Sequence, residues 1–318
     1  MPMWRNGRRT GLKIRWDSPP VPVRVRPSAL SARQMLAQFR FRLDETAVIG
    51  ESVTELNIVS IPSASSHPAS IRESLPVKKG LGSYNEAISP AELKKVRLGW
   101  YYNWTPFPKK NSVPDLEFVP MFWSAEYVNP ENLALVEGSG AINVLGFNEP
   151  DLAGQANMTV EQCLDLWPQL MPLKQRLGSP APADSVWLEK FMPEARKRGL
   201  RIDFICLHRY PDISDTHAVD RIEAWLCDIH QKYGLPIWLT ECGAADVKAW
   251  HQPELSDPTP ELAQTFLKKL LTMLERLAFV ERYAWFADRV GDEYSLGSIF
   301  EMRANKLTPM GKIYRDAS

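Results

Sequence analysis

Neither sign of charge predominates in this chain: 38 Lys and Arg stand against 38 Asp and Glu. Such a balance leaves no electrostatic footprint for nucleic acid or for an acidic membrane surface, so neither partner is expected. Cysteine is scarce, with Cys163, Cys206, Cys227 and Cys242 the whole complement. No two are spaced as CxxC and no His stands at a zinc-like interval. The four are therefore read as free thiols, with neither a disulfide framework nor a metal expected. No run approaches the roughly 18 uninterrupted apolar residues of a membrane-spanning helix. No glycine-rich loop follows an early strand, which argues against a nucleotide site and against an open doubly wound sheet.

What the chain does have is a sizeable apolar fraction, 44%, enough to bury a core, and many rings: 11 Trp, 9 Tyr and 12 Phe. Most rings in any protein are core, but exposed ones can stack on the flat faces of sugars. Residues 1–77 differ from the rest. They hold eleven Lys or Arg against six Asp or Glu, with Pro and Ser clustered at Ser18-Pro19-Pro20 and from Ser60 to Ser70. Arg8-Arg9 is followed by Lys13, Arg15 and Asp17 rather than by an apolar segment, so no export signal is recognised and localisation stays open. Residues 1–77 are read as a basic, Pro/Ser-rich extension and residues 78–318 as the main domain.

From residue 78 short apolar runs alternate with amphipathic stretches. Strands are expected at Lys79–Ser83, Leu98–Asn103, Phe118–Phe122, Ala141–Phe147, Arg176–Ser179, Phe204–His208, Ile237–Thr240 and Arg282–Phe286. Between them lie helix signals. Thr159 with Gln162 is a capping box, and Pro168 and Pro172 should interrupt the helix it opens. Asp220 opens a helix that Gly234 ends, and Thr259-Pro260 opens a long one reaching about Leu277. Eight such units match a closed (β/α)8 TIM barrel, which typically takes about 250 residues.

In that fold the C-terminal ends of the strands form the working face. Asn148-Glu149-Pro150 closes the fourth strand and Thr240-Glu241 the seventh. Two glutamates there would face each other across the barrel mouth. Glycoside hydrolysis needs such a pair, one to protonate the leaving oxygen and one carboxylate on the far side of the anomeric carbon. A lone Glu after a strand is usually a solvated loop residue; a matched pair after apolar strands is much rarer.

The segments Phe147-Asn148-Glu149-Pro150-Asp151 and Trp238-Leu239-Thr240-Glu241 resemble the strand ends of clan A retaining glycoside hydrolases. With Gly99-Trp100-Tyr101-Tyr102-Asn103-Trp104, Phe118-Val119-Pro120-Met121-Phe122-Trp123, Asp203-Phe204 with His208 and Tyr210, and Tyr283-Ala284-Trp285-Phe286, the set is similar to the family 128 glycoside hydrolases over about residues 79–315. Residues 1–77 carry no part of the likeness. The resemblance implies a cofactor-free β-1,3-glucanase, with Glu149 as acid/base, Glu241 as nucleophile and Asn148 on the sugar 2-hydroxyl; a monomer and endo action are expected. It offers His208, Tyr210, Trp285, Trp123, Tyr102, Asn103 and Trp104 as further substrate-binding residues. Arg209 departs from the small or aromatic residue expected there, which leaves open whether His208 or Tyr210 supports Glu241.

The roles also follow physically. Two carboxyls about 5 Å apart repel, so one keeps its proton while the other stays ionised. Trp104, Trp123 and Trp285 are the stacking residues expected, with Trp285 under the sugar being cleaved. Trp187 and Trp225 are read as packing, and His217, His230 and His251 as surface residues. Two rival readings are a glucan-binding barrel without catalysis and a retaining hydrolase of another β-linked glycan. The first is disfavoured because both glutamates are present.

Overall fold

Each expected apolar run overlaps a strand. In order they are β1 (Lys79–Gly82), β2 (Trp100–Tyr102), β3 (Glu117–Phe118), β4 (Asn143–Val144), β5 (Arg176–Leu177), β6 (Ile205–Arg209), β7 (Ile237–Cys242) and β8 (Val280–Trp285). The computed structural model describes residues 77–83, 88–108, 116–244, 259–286, 288–289, 296–301 and 305–317. Residues 1–76 of the expected extension, and His251, lie outside the described residues.

Parallel pairing orders six strands as β3-β2-β1-β8-β7-β6, and β4 pairs with β5. Single parallel bridges join the remaining edges: Met121 to Leu145 beyond β3, and Gly178 to Phe204 between β5 and β6. The ring is therefore continuous, and the fold is the (β/α)8 barrel expected. The helices are α1 (Pro90–Lys95), α2 (Pro130–Gly138), α3 (Val160–Leu166), α4 (Ser185–Lys197), α5 (Ala218–Tyr233), α6 (Pro260–Arg276) and α7 (Pro309–Asp316).

The local signals act as read. Thr159 and Gln162 exchange their hydrogen bonds at the start of α3, and at Trp167-Pro168 the chain tightens into a 3-10 turn. Gly234, at φ 68°, ends α5 in the left-handed region where only glycine is at ease. Thr259 caps α6 ahead of Pro260. Two details differ. The helix α5 starts two residues before Asp220. His230 is not a free surface residue: its ring stacks on Phe279 at 4.4 Å and Nδ1 meets the Leu235 carbonyl at 2.9 Å.

Strand side chains alternate between two apolar layers. Trp100, Tyr102, Phe204, Cys206, Trp238 and Ala284 belong to a cluster built from strand residues and strand ends, which fills the barrel. Their neighbours Leu81, Tyr101, Ile205, Leu207, Leu239, Tyr283 and Trp285 pack with the helices outside it. Gly80 is part of the filling by default: a Cβ there would lie 2.2 Å from the Trp100 ring.

Lys78 and Lys79 tie the first strand to two helix ends. Lys78 Nζ donates to the carbonyls of Leu274, Glu275 and Leu277 at the end of α6. Lys79 Nζ donates to Tyr314, Arg315 and Ala317 at the end of α7. Each ammonium satisfies carbonyls that a helix leaves unpaired and sits at the negative end of its dipole. Replacing Lys79 by Met is expected to destabilise the fold by about 1–3 kcal/mol, the range for leaving buried hydrogen-bonding groups without a partner. Urea unfolding measures it, and an unchanged midpoint would contradict the capping role.

Candidate active site

Strict alternation along β7 would send Trp238 and Thr240 inward and Glu241 outward. The structure avoids this with a bulge. Leu207 pairs with Leu239 but His208 pairs with Glu241, so β7 carries one extra residue at Thr240. A bulge re-aims the side chains after it, and here Glu241 faces the mouth while Cys242 joins the outer layer. Glu149 is re-aimed in another way. Its φ is 40°, in the left-handed region, where a non-glycine residue costs about 1–3 kcal/mol. Backbone bonds hold it there: Glu149 N–H donates to Ala181 at 2.9 Å and Asn148 N–H to Trp123 at 2.9 Å. Asp151 clamps the same loop by accepting from Ala183 and Asp184 at 2.9 and 2.8 Å. Trp104 is also left-handed, at φ 59°.

Both glutamates are buried, 8% and 5% exposed, and His208 between them is 3% exposed. His208 Nδ1 lies 2.9 Å from Glu149 Oε1 and 3.6 Å from Glu241 Oε2. One atom from each of the three groups falls within 4.8 Å of the other two. Glu241 is surrounded by donors. Trp104 Nε1–H reaches Oε1 at 2.8 Å, and Tyr210 O–H reaches Oε2 at 2.5 Å. The Tyr102 hydroxyl lies 3.1 Å from Oε1 and 3.0 Å from the Thr240 carbonyl, so its single proton is shared. Such a cluster could also be read as a cation site. The donor set argues otherwise: N–H and O–H groups already point at both Glu241 oxygens. Among the described residues His208 Nε2 has no partner, whereas a ligating histidine normally donates its second N–H to an acceptor.

Burial pushes the Glu149 carboxyl above the usual carboxylate range. The His208 hydrogen bond and charge oppose that shift, and the Glu241 and Asp151 charges add to it. Burial works against a charged His208, but the Glu241 and Glu149 charges outweigh it and raise its pKa. The Glu149–His208 pair thus keeps its proton to higher pH than an isolated carboxyl. Burial, then the Glu241 charge, raises the Tyr210 phenol well above its ordinary value, so it remains a donor.

The other expected residues divide. Tyr210 supports Glu241 and His208 bonds Glu149, which resolves the ambiguity left by the sequence. Arg209 points away and lies over the Trp225 ring at 5.2 Å. Asn148 donates through Nδ2 to Gln155 at 3.3 Å, while its buried Oδ1 has no partner among the described residues. Trp123 is half-buried at the rim, edge-on to Tyr127. Tyr102 is a correction: its ring is barrel filling and only the hydroxyl reaches the site. Trp104 reaches the site with its indole N–H on Glu241. Asn103 spends both ends of its amide on its own loop, accepting from Thr105 and donating to Phe107. Trp285 is the clearest correction. It is 0% exposed, donates to the Gly297 carbonyl at 2.6 Å and packs near Tyr314, because alternation along β8 sends it outward. Phe286, the next residue, sits beside Trp104 and Tyr210 instead. Phe286 was recoverable from that alternation, and Asp151 from its place in the motif; Gln155 had no sequence signal.

A family model described as the glycosyl hydrolase catalytic core matches residues 82–314. Alkali-sensitive linkage protein 1 of Schizosaccharomyces pombe is 30% identical over 228 residues, 68% of this chain and 40% of that protein. The chain thus spans well under half the length of that curated relative. A GH128 subgroup I endo-β-1,3-glucanase from Amycolatopsis mediterranei, solved with laminaritriose, is 36% identical with a TM-score of 0.68, covering 76% of this chain and 100% of that one. A GH128 subgroup III curdlan-specific exo-β-1,3-glucanase from Blastomyces gilchristii, solved with glucose, is 28% identical with a TM-score of 0.60, covering 75% and 97%.

The paired carboxyls predict a signature in the pH profile. Loss of the proton held by Glu149 and His208 should remove the acid, so activity falls as pH rises through a raised pKa. His208→Asn removes the interactions that pull Glu149 down. Its basic limb in kcat/KM is expected to move to higher pH, and a limb that moves down or stays put would contradict the arrangement.

Proposed function

The chain belongs to the glycosyl hydrolase catalytic core family, within glycoside hydrolase family 128, and from that premise we propose that it cleaves β-1,3-glucan internally with retention of configuration. The observation that carries the reading is the buried pair, Glu149 and Glu241, with oxygens within 4.8 Å of each other. Retaining enzymes hold their carboxyls about 5–5.5 Å apart, whereas inversion needs room for a water between carboxylate and sugar. The Amycolatopsis enzyme supports endo action on a laminarin-type chain.

In this mechanism Glu149 is the acid. Burial keeps its proton on, and it gives that proton to the leaving glycosidic oxygen. Glu241 attacks the anomeric carbon from the other face, displacing that oxygen and forming a glycosyl ester. Trp104, Tyr102 and Tyr210 hold the attacking carboxylate in one orientation, so little reorganisation is needed as the bond forms. Esterification removes the charge on Glu241, which had helped raise Glu149. Glu149 can then remain ionised, take a proton from water and direct that water to the same carbon, breaking the ester bond and releasing Glu241 as the carboxylate. Asn148, with an unmatched buried oxygen beside Glu149, accepts from the sugar 2-hydroxyl, a bond that strengthens as positive charge develops. Every group named here lies within residues 78–318.

Glu149→Gln and Glu241→Gln are each expected to lower turnover on β-1,3-glucan by at least about 100-fold with folding intact. Proton NMR of fresh products is expected to show the β-anomer first. An unimpaired Glu241→Gln variant, or α-anomer at the start, would overturn the assignment.

A further inference from the structure

An amide side chain carries a donor at one end and an acceptor at the other, and a half-turn about its last bond exchanges them. Which end of Asn148 meets the sugar therefore decides what that residue can do. Asn148 is buried, and among the described residues one group tells its two ends apart: Gln155 Oε1 accepts from Asn148 Nδ2 at 3.3 Å, while Oδ1 has no partner. We propose that Gln155 is a positioning residue for catalysis. It fixes the Asn148 amide with its oxygen toward the sugar, and so makes the bond to the 2-hydroxyl selective for the transition state. The proposal rests on the glucanase reading above and extends it to a residue that acts only through Asn148.

The loop that carries Gln155 is built to keep it there. Leu152 N–H donates to the Glu149 carbonyl and Gln155 N–H to that of Leu152, each at 3.0 Å, so two successive turns bring the chain back to Asn148. Ala156 N–H then donates to the Asn148 carbonyl at 3.2 Å, and Met158 N–H to that of Pro150 at 2.8 Å. Adjacent residues thus hold Asn148 through its side chain and through its backbone. The chemistry follows from the direction of the side-chain bond. With Nδ2 engaged, the free oxygen can only accept, and the 2-hydroxyl must donate to it. As positive charge develops on the neighbouring anomeric carbon, the hydroxyl becomes a stronger donor and the bond tightens. A reversed amide would present N–H to the hydroxyl oxygen, which accepts less well as the ring loses electrons. Only the first orientation gains strength between ground state and transition state, which is what lowers a barrier. Gln155 itself touches none of the reacting atoms in this scheme.

The test compares kcat/KM of the full-length protein on two aryl β-laminaribiosides, one with the 2-hydroxyl on the ring being cleaved and its 2-deoxy counterpart. Gln155→Leu keeps the bulk and loses the acceptor. It is expected to slow the 2-hydroxy substrate about tenfold, equivalent to about 1.4 kcal/mol, and the 2-deoxy substrate by less than about twofold. Gln155→Glu, which restores an acceptor, is expected to recover the difference between the two substrates. In an Asn148→Ala background Gln155→Leu should lower the rate no further, since its one route to the sugar is gone. Equal losses on both substrates, the mark of a loosened loop or of a direct contact between Gln155 and sugar, would overturn the proposal. Losses that add to those of Asn148→Ala would overturn it as well. Either outcome leaves the glucanase reading intact. That reading, and this proposal with it, fails if the unsubstituted protein cleaves neither the 2-hydroxy substrate nor β-1,3-glucan.

Discussion

A carboxylate buried in a protein interior must find hydrogen-bond donors or give up its charge, and Glu241 meets that constraint with three of them. Trp104 and Tyr102 come from the β2 end and Tyr210 from the β6 end, so strands on two sides of β7 must arrive in register. A shift of one residue along any strand would turn each donor to the opposite face. The bulge at Thr240 is part of the same solution. Without it Glu241 would point at the helices and Thr240 would occupy the mouth.

The opposing carboxyl is held by different physics. Glu149 gains its position from a strained backbone and its proton from burial, with His208 bridging to Glu241. The strain is tolerable because the loop is over-determined: Ala181, Trp123 and the Asp151 clamp fix it from both neighbouring strands. Rigidity there depends in turn on the closed ring, and the ring on its seam, where β1 meets β8 and two lysines cap the helices α6 and α7. Packing far from the mouth thus sets the geometry at it.

Much of this was legible in the chain. Eight apolar runs, a capping box and glycine or proline at helix ends report local preferences that the barrel does not override. The two glutamates were legible because strand ends are fixed points of the fold. What failed was the facing of single residues. Closing a strand points Trp285 to the cleft, but alternation decides which side a strand residue takes, and Phe286 takes the inner one. The bulge in β7 is invisible to a period-two reading, which would have turned Glu241 outward. The partners of Tyr102, Asn103 and Trp104 depend on the loop after β2, including the left-handed turn at Trp104, and spacing does not encode that. Whether His208 or Tyr210 serves Glu241 depends on side-chain reach to within an ångström, also beyond sequence pattern.

The account turns on Glu241 forming a covalent bond to the sugar while Glu149 stays free. An activated 2-deoxy-2-fluoro β-laminaribioside should glycosylate Glu241 faster than water can release it, because fluorine destabilises both oxocarbenium-like transition states and the activated leaving group offsets that only in the first step. Peptide mass spectrometry of the labelled protein is expected to find one disaccharide, attached to the peptide carrying Glu241. A label on Glu149 or elsewhere, or full turnover of the reagent with no trapped species, would contradict it.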